Sequence, residues 1–304
     1  GLGAGTRLMQ AALREAREAG YPLSGLYPAT QPIYRSVGYE QAGTRWKTSV
    51  DAAKIDVKDH ALLVSPITDA DHPAIREVYA AKARRHEGHL DRNEYIWKRV
   101  FKPKGEPPRG MKVVGDSGIE GYVVLTKVPR EGSKADFSCL DVATLTPAAG
   151  RRILSLFADH KSLADRFTWY GGPDDPLLYL LREQEPEMEA QTFWMLRLLD
   201  VPKALELRGY APGRAGELHL RVEDPLFPEN DGPWVLSVEG GRGHVVPGGR
   251  GSFRVSIRGL APLYSGFLRA GVLAAIGWVN APSDELATAA SLFDGPAPWT
   301  PDMY

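Results

Sequence analysis

Residues 1–22 read GLGAGTRLMQAALREAREAGYP, with three glycines in the first five positions and then an amphipathic run with no spacer. Glycine loses more freedom on ordering than any other residue. A cluster of them therefore marks backbone that must turn unusually or approach a ligand closely. From Thr6 onward Leu8, Met9, Ala12, Leu13 and Ala16 gather on one helical face, while Arg14, Glu15, Arg17 and Glu18 fall elsewhere. The pattern predicts a helix capped by Thr6 and stopped at Gly20. A glycine loop opening a helix presents unpaired N–H groups at the positive end of the helix dipole, a general cradle for phosphate. The spacing is not that of a P-loop, because no Lys-Ser/Thr pair follows a second glycine. Nor is it a Rossmann turn: Glu18 lies inside the helix and no acid follows before Pro28. Loop chemistry alone leaves two readings, a phosphate cradle and an unstructured glycine-rich end.

The rest of the chain supplies the context. Its 304 residues are enough for two domains or three small ones, and 43% hydrophobic with 25% charged residues is an ordinary globular balance. A net charge of -1, from 37 basic and 38 acidic side chains, gives no reason to expect nucleic acid or an anionic membrane as partner. No run of about 18 apolar residues occurs, and no charged-then-apolar leader, so neither a membrane span nor a signal peptide is predicted. The lone cysteine, Cys139, rules out an internal disulfide and a multi-cysteine metal site, and the expected setting is a reducing cytoplasm.

Beyond the first helix, "YPLSGLYPA" predicts a strand broken by Pro28, "QPIYRSVGYE" one helical turn ending at Gly38, and "TRWKTSVDA" a further strand. A new cycle begins near Ala61. It runs strand "ALLVSPIT", helix "DADHPAIREVYAAKARR" capped by Asp69 or Asp71, helix "RNEYIWKRVF", and paired strands in "MKVVGDSGIEGYVVLTKV". Strand "DFSCLDVATL", helix "TPAAGRRILSLFADH" and strand "ADRFTWYGG" complete it. The last third changes to short alternating strands at Leu218–Leu220–Val222, Trp234–Leu236–Val238 and Phe253–Val255–Ile257. Helical segments "LAPLYSGFLRAGVLAAIG" and "SDELATAASLFDG" follow, so the whole reads as α+β.

The first forty residues resemble the last half of a GNAT-type acetyltransferase domain. In that family a glycine loop opens a helix and wraps the pyrophosphate of acetyl-CoA, and Gly3, Ala4 and Gly5 match the end of the loop. A strand follows, then a short helix of the form aromatic/aliphatic-Tyr-x-x-x-Gly-aromatic, matched by Ile33, Tyr34, Gly38 and Tyr39. Further stretches, "SLADRFTWYGGPDDPLLYLL", "FWMLRLLDVPKALELRGY", "GELHLRVEDPLFPENDGPW" and "LFDGPAPWTPDMY", are similar to the Eis (enhanced intracellular survival) family. The resemblance implies three parts. Residues 1–55 would be the carboxy-terminal part of a catalytic GNAT domain, lacking its first strands. Residues 56–190 would be a second, degenerate GNAT-like domain, and 191–304 a sterol-carrier-protein-like domain ending in an active-site tail. It also implies acetyl-CoA as co-substrate with no metal, amine acceptors such as aminoglycosides or lysine side chains, and a homo-oligomer, a hexamer. Gly1, Leu2, Gly3, Ala4, Gly5, Thr6 and Thr30 would contact acetyl-CoA.

Acetyl transfer to an amine poses two proton problems. The protonated amine must lose a proton to attack, and the CoA thiolate leaves better when it gains one. The resemblance assigns the donor to Tyr34 and the acceptor to the α-carboxylate of Tyr304, with Asp302 a competing carboxylate. "GPAPWTPDMY" is stiffened by proline and carries Trp299 and Tyr304 as aromatic anchors. In "TLTPAAGRRIL", Pro147 removes an N–H, so that helix start is a poor pyrophosphate loop and the central unit is read as structural or as a pocket wall. His86 and His89, beside Glu87, are read as a solvated helix end, and Asp174 and Asp175 as turn residues. The rival function is a module that binds lipid or another small apolar ligand without catalysis.

Overall fold

The computed structural model describes residues 3–104, 107–130, 134–183 and 186–304, and the chain divides into two units. The first joins the residues up to Gly43 with Phe193–Pro298. The second joins Thr44–Thr192 with Trp299–Tyr304.

In the first unit α1 (Ala4–Glu18) begins three residues earlier than the sequence predicts. Its N-cap is Gly3 at φ 102°, and Thr6 lies within the first turn. The entering backbone passes through the left-handed region, which glycine tolerates and threonine resists. Gly20, at φ 85°, ends the helix in a Schellman arrangement. Its N–H donates to Arg17 O at 2.8 Å, and that of Tyr21 to Ala16 O at 3.0 Å. The buried stripe is narrower than the apolar pattern: Met9, Leu13 and Ala16, spaced i, i+4, i+7, meet the core, while Leu8 is 71% exposed. β1 (Leu23–Leu26) pairs antiparallel with Met195–Leu198. The short α2 (Gln31–Arg35) follows, and Gly38 at φ 94° turns the chain into β2 (Glu40–Asp51), which leads to the second unit.

The second unit contains β3 (Leu63–Pro66), α3 (His72–Ala83), α4 (Glu94–Phe101), β4 (Arg109–Gly115), β5 (Gly118–Val128), β6 (Ala135–Thr144), α5 (Pro147–Asp159), β7 (Ala164–Tyr170) and α6 (Pro176–Tyr179). Its strands are ordered β2-β7-β6-β5-β4-β3. Only β6 and β7 run parallel, and they pair just from Ala135–Ser138 against Ala164–Thr168. Asp71, one of the two caps read from sequence, stands at the N-cap of α3 without a side-chain cap bond, and the turn before it is capped by Thr68, whose capping-box partner is the same Asp71. One core packs Ile153, Leu154 and Phe157 of α5 against Val123, Phe167 and Trp169. The other packs Ile75, Tyr79 and Trp97 of α3 and α4 against Tyr122 and Val124.

β8 (Glu187–Leu198) returns the chain to the first unit, followed by α7 (Val201–Leu207). Then come β9 (Gly216–Glu223), β10 (Gly232–Glu239), β11 (Arg242–Pro247), β12 (Phe253–Ser256), α8 (Ile257–Ser265), α9 (Ala270–Ala275), β13 (Val279–Asn280) and α10 (Ser283–Leu292). The five strands are ordered β11-β10-β9-β12-β13, with β9 and β12 parallel. Leu218, Leu220, Val222, Leu236, Val238, Phe253 and Val255 are buried, as their period-two spacing predicts. Ile257, read from sequence as the end of a strand, instead opens α8. The Ser256 hydroxyl caps that helix by accepting from the Gly259 N–H at 3.2 Å. Gly266 at φ 78° splits the following helical segment into α8 and α9. The molecule is α+β.

Candidate active site

Most of the residues read from sequence as acetyl-CoA contacts lie at the entrance of α1. Gly1 and Leu2 fall outside the described residues. Gly3 has no side-chain cap and nothing lies within 4 Å of the place a Cβ would take. The first helical hydrogen bond runs from the Arg7 N–H to Gly3 O at 2.9 Å, so the N–H groups of Ala4, Gly5 and Thr6 precede the helical ladder. No acidic residue stands in this first turn. Free donors, open space and a positive helix end fit a diphosphate. A Cβ on Gly5 would lie 2.9 Å from Ile33 Cδ1, so the loop abuts α2.

On α2 the Tyr34 ring is half-buried and meets Tyr39 edge-on, with centroids 6.1 Å apart at 77°. The Tyr34 hydroxyl makes no hydrogen bond to another described residue. Tyr39 is different: it is 1% exposed, and its hydroxyl is 2.6 Å from Ser24 Oγ. Burial pushes its phenol above the ordinary value. Thr30 is exposed at the N-cap of α2 and its side chain makes no cap bond. The turn after α2 is held from below by Arg197, whose Nε donates to Val37 O at 3.0 Å. Arg197 also grips both oxygens of Asp224, at 2.7 and 2.8 Å, in a pair with no exposed side-chain surface. A neighbouring triad, Arg35 and Arg258 around the buried Glu40, ties the end of α2 to the start of α8.

The start of α5 is built differently. The Thr146 hydroxyl accepts from the Ala149 N–H at 3.1 Å and donates to Glu120 Oε2 at 2.7 Å. A Cβ on Gly150 would lie 2.5 Å from Leu180 Cδ1. Protein groups and a carboxylate occupy the place a phosphate would need.

Tyr304 belongs to the second unit, and its ring is 41% exposed, so only Trp299, at 1%, is a buried aromatic anchor of the tail. Asp302 is buried and bonded to Arg92 and Tyr79. Burial lifts its carboxyl above the usual range while Arg92 pulls it back. His89 corrects the solvated reading: both its ring nitrogens are buried without a hydrogen-bond partner. Its ring stacks on His86 at 4.6 Å and meets Trp299 edge-on at 4.5 Å. Desolvation pulls its imidazole down to about 2, so it is neutral. Asp175 caps α6 through the Leu177 N–H at 3.0 Å, and Asp174 precedes it in the turn. Among the described residues no cluster of His, Cys, Asp or Glu could hold a metal ion, and no helix is long and apolar enough to cross a membrane.

Residues 1–42 and 88–198 each match an acetyltransferase (GNAT) domain family, and residues 201–301 match a sterol carrier protein domain family. A GCN5-related N-acetyltransferase from Anabaena variabilis is 34% identical with a TM-score of 0.95, and the match covers all of this chain and 78% of that one. Another from Kribbella flavida is 31% identical with a TM-score of 0.86, over all of this chain and 76% of that one. An uncharacterized N-acetyltransferase of Streptomyces griseus is 27% identical over 98% of this chain and 77% of its own length. Eis1 from Mycobacterium abscessus shares the fold at 20% identity, with a TM-score of 0.79, over all of this chain and 79% of its own. The chain belongs to the GCN5-related N-acetyltransferases. Within them it carries a carboxy-terminal sterol carrier protein domain, and it is an N-acetyltransferase of a family that uses acetyl-CoA.

Gly3→Val puts a β-branched side chain on left-handed backbone, in the open space before the helix. Strain of about 1–2 kcal/mol or more opposes it, so the Kd for acetyl-CoA should rise roughly tenfold or further. Titration calorimetry measures it, and unchanged affinity removes Gly3 from the site.

Proposed function

We propose that this enzyme acetylates primary amines of polycationic small molecules, aminoglycoside-like, or of lysine side chains, as a member of the Eis branch and a homo-oligomer, a hexamer. The three segments 1–55, 56–190 and 191–304 would serve as catalytic GNAT part, structural GNAT-like domain and sterol-carrier-like domain. The observation that carries the reading is the open, glycine-capped start of α1 standing against α2, which bears Tyr34 with an uncommitted hydroxyl. The Ala4, Gly5 and Thr6 N–H groups and the Thr30 hydroxyl would hold acetyl-CoA, which brings the acetyl group as a thioester. Tyr34 donates the proton that the sulfur gains. In a polypeptide that ends at Tyr304 the α-carboxylate, with an ordinary pKa of about 3.5, stays ionised and takes the proton of the amine.

The sterol carrier match gives the rival its support. Against it, the cleft between α8, α9 and α10 has room for little more than one water molecule, about 20 Å³. Leu260, Ala261, Leu273 and Ala289 pack there at 0% exposure. A thermal shift decides between the two. Acetyl-CoA at about 100 times its Kd should stabilise the protein by about 2.7 kcal/mol, and fatty acid or sterol should leave Tm unchanged. The reverse result replaces the transferase reading of this chain with the carrier one.

A further inference from the structure

We infer that Arg92 is a positioning residue for acetyl transfer: by gripping Asp302 it holds the segment Trp299–Tyr304, which in a polypeptide that ends at Tyr304 carries the proposed base. The inference rests on the proposed role of that tail, and all the contacts that carry it lie inside the second unit.

Residues Trp299–Tyr304 belong to no helix or strand of the two sheets, yet they are tied at nearly every position. The Trp299 N–H donates to Glu87 O at 3.1 Å, and its indole is wedged against His86 and His89 with Lys82 Nζ 5.6 Å from its ring. The Thr300 N–H donates to Thr44 O at 3.1 Å, and Arg45 Nε donates to Pro301 O at 3.0 Å. Arg99 donates to Met303 O.

Asp302 is the charged tie. Arg92 meets both its oxygens, Nε to Oδ2 at 3.0 Å and Nη2 to Oδ1 at 2.8 Å, and Tyr79 OH adds a bond to Oδ2 at 3.2 Å. The same guanidinium is bonded on its other side to Asp141 of β6, which also accepts from Tyr122 OH at 2.6 Å. The Arg92 side chain is 1% exposed and lies over the Tyr79 ring at 3.6 Å. A planar fork with five donors, stacked and held by a strand, cannot swing as a lysine could. Asp302 is therefore tied through Arg92 to the sheet. Two further residues reach at most about 7 Å, so in a polypeptide that ends at Tyr304 the α-carboxylate is confined to a small volume. Misplacement of a reacting group by about 1 Å costs on the order of 10²-fold in rate.

Removing Arg92 itself would strand two buried carboxylates and endanger the fold. Asp302→Ala is the better variant, because it leaves Arg92 paired one to one with Asp141. Hydrogen exchange in the full-length protein reads the anchor: tail amides of Asp302→Ala should exchange at least roughly tenfold faster, with β6 unchanged. The kcat for acetylation of a polyamine should fall on the order of 10²-fold at unchanged KM for acetyl-CoA, with Asp302→Asn intermediate. A tail that stays protected overturns the anchor. A loosened tail with full kcat overturns the positioning role. An extension placed after Tyr304 tests the base separately: if it leaves kcat intact while Asp302→Ala loosens the tail, the proposed base has failed and the anchor has not.

Discussion

Tyr34→Phe is expected to lower the turnover number by about 10²–10⁴-fold, the usual contribution of a general acid, while acetyl-CoA binds as before. The substitution removes one oxygen. The ring keeps its edge-on contact with Tyr39, and because the hydroxyl makes no hydrogen bond to another described residue, no structural bond is broken. Stability should therefore change by no more than about 0.5 kcal/mol, and any loss of rate belongs to the transition state rather than to unfolding. That loss should appear equally in kcat and kcat/KM, the signature of an interaction made only in the transition state. The loss should be similar for every amine acceptor, since the CoA thiolate is the leaving group with each. Steady-state kinetics with two unrelated amines measures it. Full activity with both would leave Tyr34 a packing residue, and Tyr39 could not replace it, being buried and bonded to Ser24.

How much of this was legible in advance differs from element to element. The glycine loop and the period of α1 are local signals, so the helix and its ends were readable. The exact cap was not, because Gly3 or Thr6 at the start depends on the direction from which the chain enters. The alternating strands of the last third were readable because one face is buried and the other wet. β8 lacks that alternation and gave no signal. Its first residues are mostly exposed, while Trp194–Leu198 are buried on both faces. Trp299 could be picked out as an anchor from its proline-rich setting. Its partners could not: His86, His89 and Lys82 are more than 200 positions away, and the link from Arg92 to Asp302 spans 210. His89 was misread for the same reason, since what desolvates it comes from the far end of the chain. Arg197 left one trace, a lone charge inside the apolar run FWMLRLL.

That arginine carries the largest stability prediction. Arg197→Met should destabilise the protein by about 3–5 kcal/mol, the cost of leaving one member of a buried ion pair without its partner. Asp224 would keep its bonds from the Leu226 N–H at 3.1 Å, the Phe227 N–H at 3.3 Å and Asn230 Nδ2 at 2.9 Å, which places the loss toward the lower end. Burial pulls the Arg197 guanidinium below its ordinary pKa, and Asp224 opposes the shift. The lost bond to Val37 O also frees the turn that ends α2. Gly38 has no slack there, since a Cβ on it would sit 2.6 Å from Arg197 Nε. Arg197→Met should therefore loosen the mounting of Tyr34 as well, so that kcat falls even in the fraction that stays folded. The double variant Arg197→Met/Asp224→Asn separates the two effects. It removes the stranded charge while keeping an acceptor for the loop amides, so most of the stability should return. The bond to Val37 O is still missing, so kcat should stay low. Denaturant midpoints and kcat measured on both variants test this together. If the double variant recovers both quantities, Arg197 only balances a charge. If it recovers stability alone, the buried arginine is what holds in place the helix that bears Tyr34, the proposed proton donor.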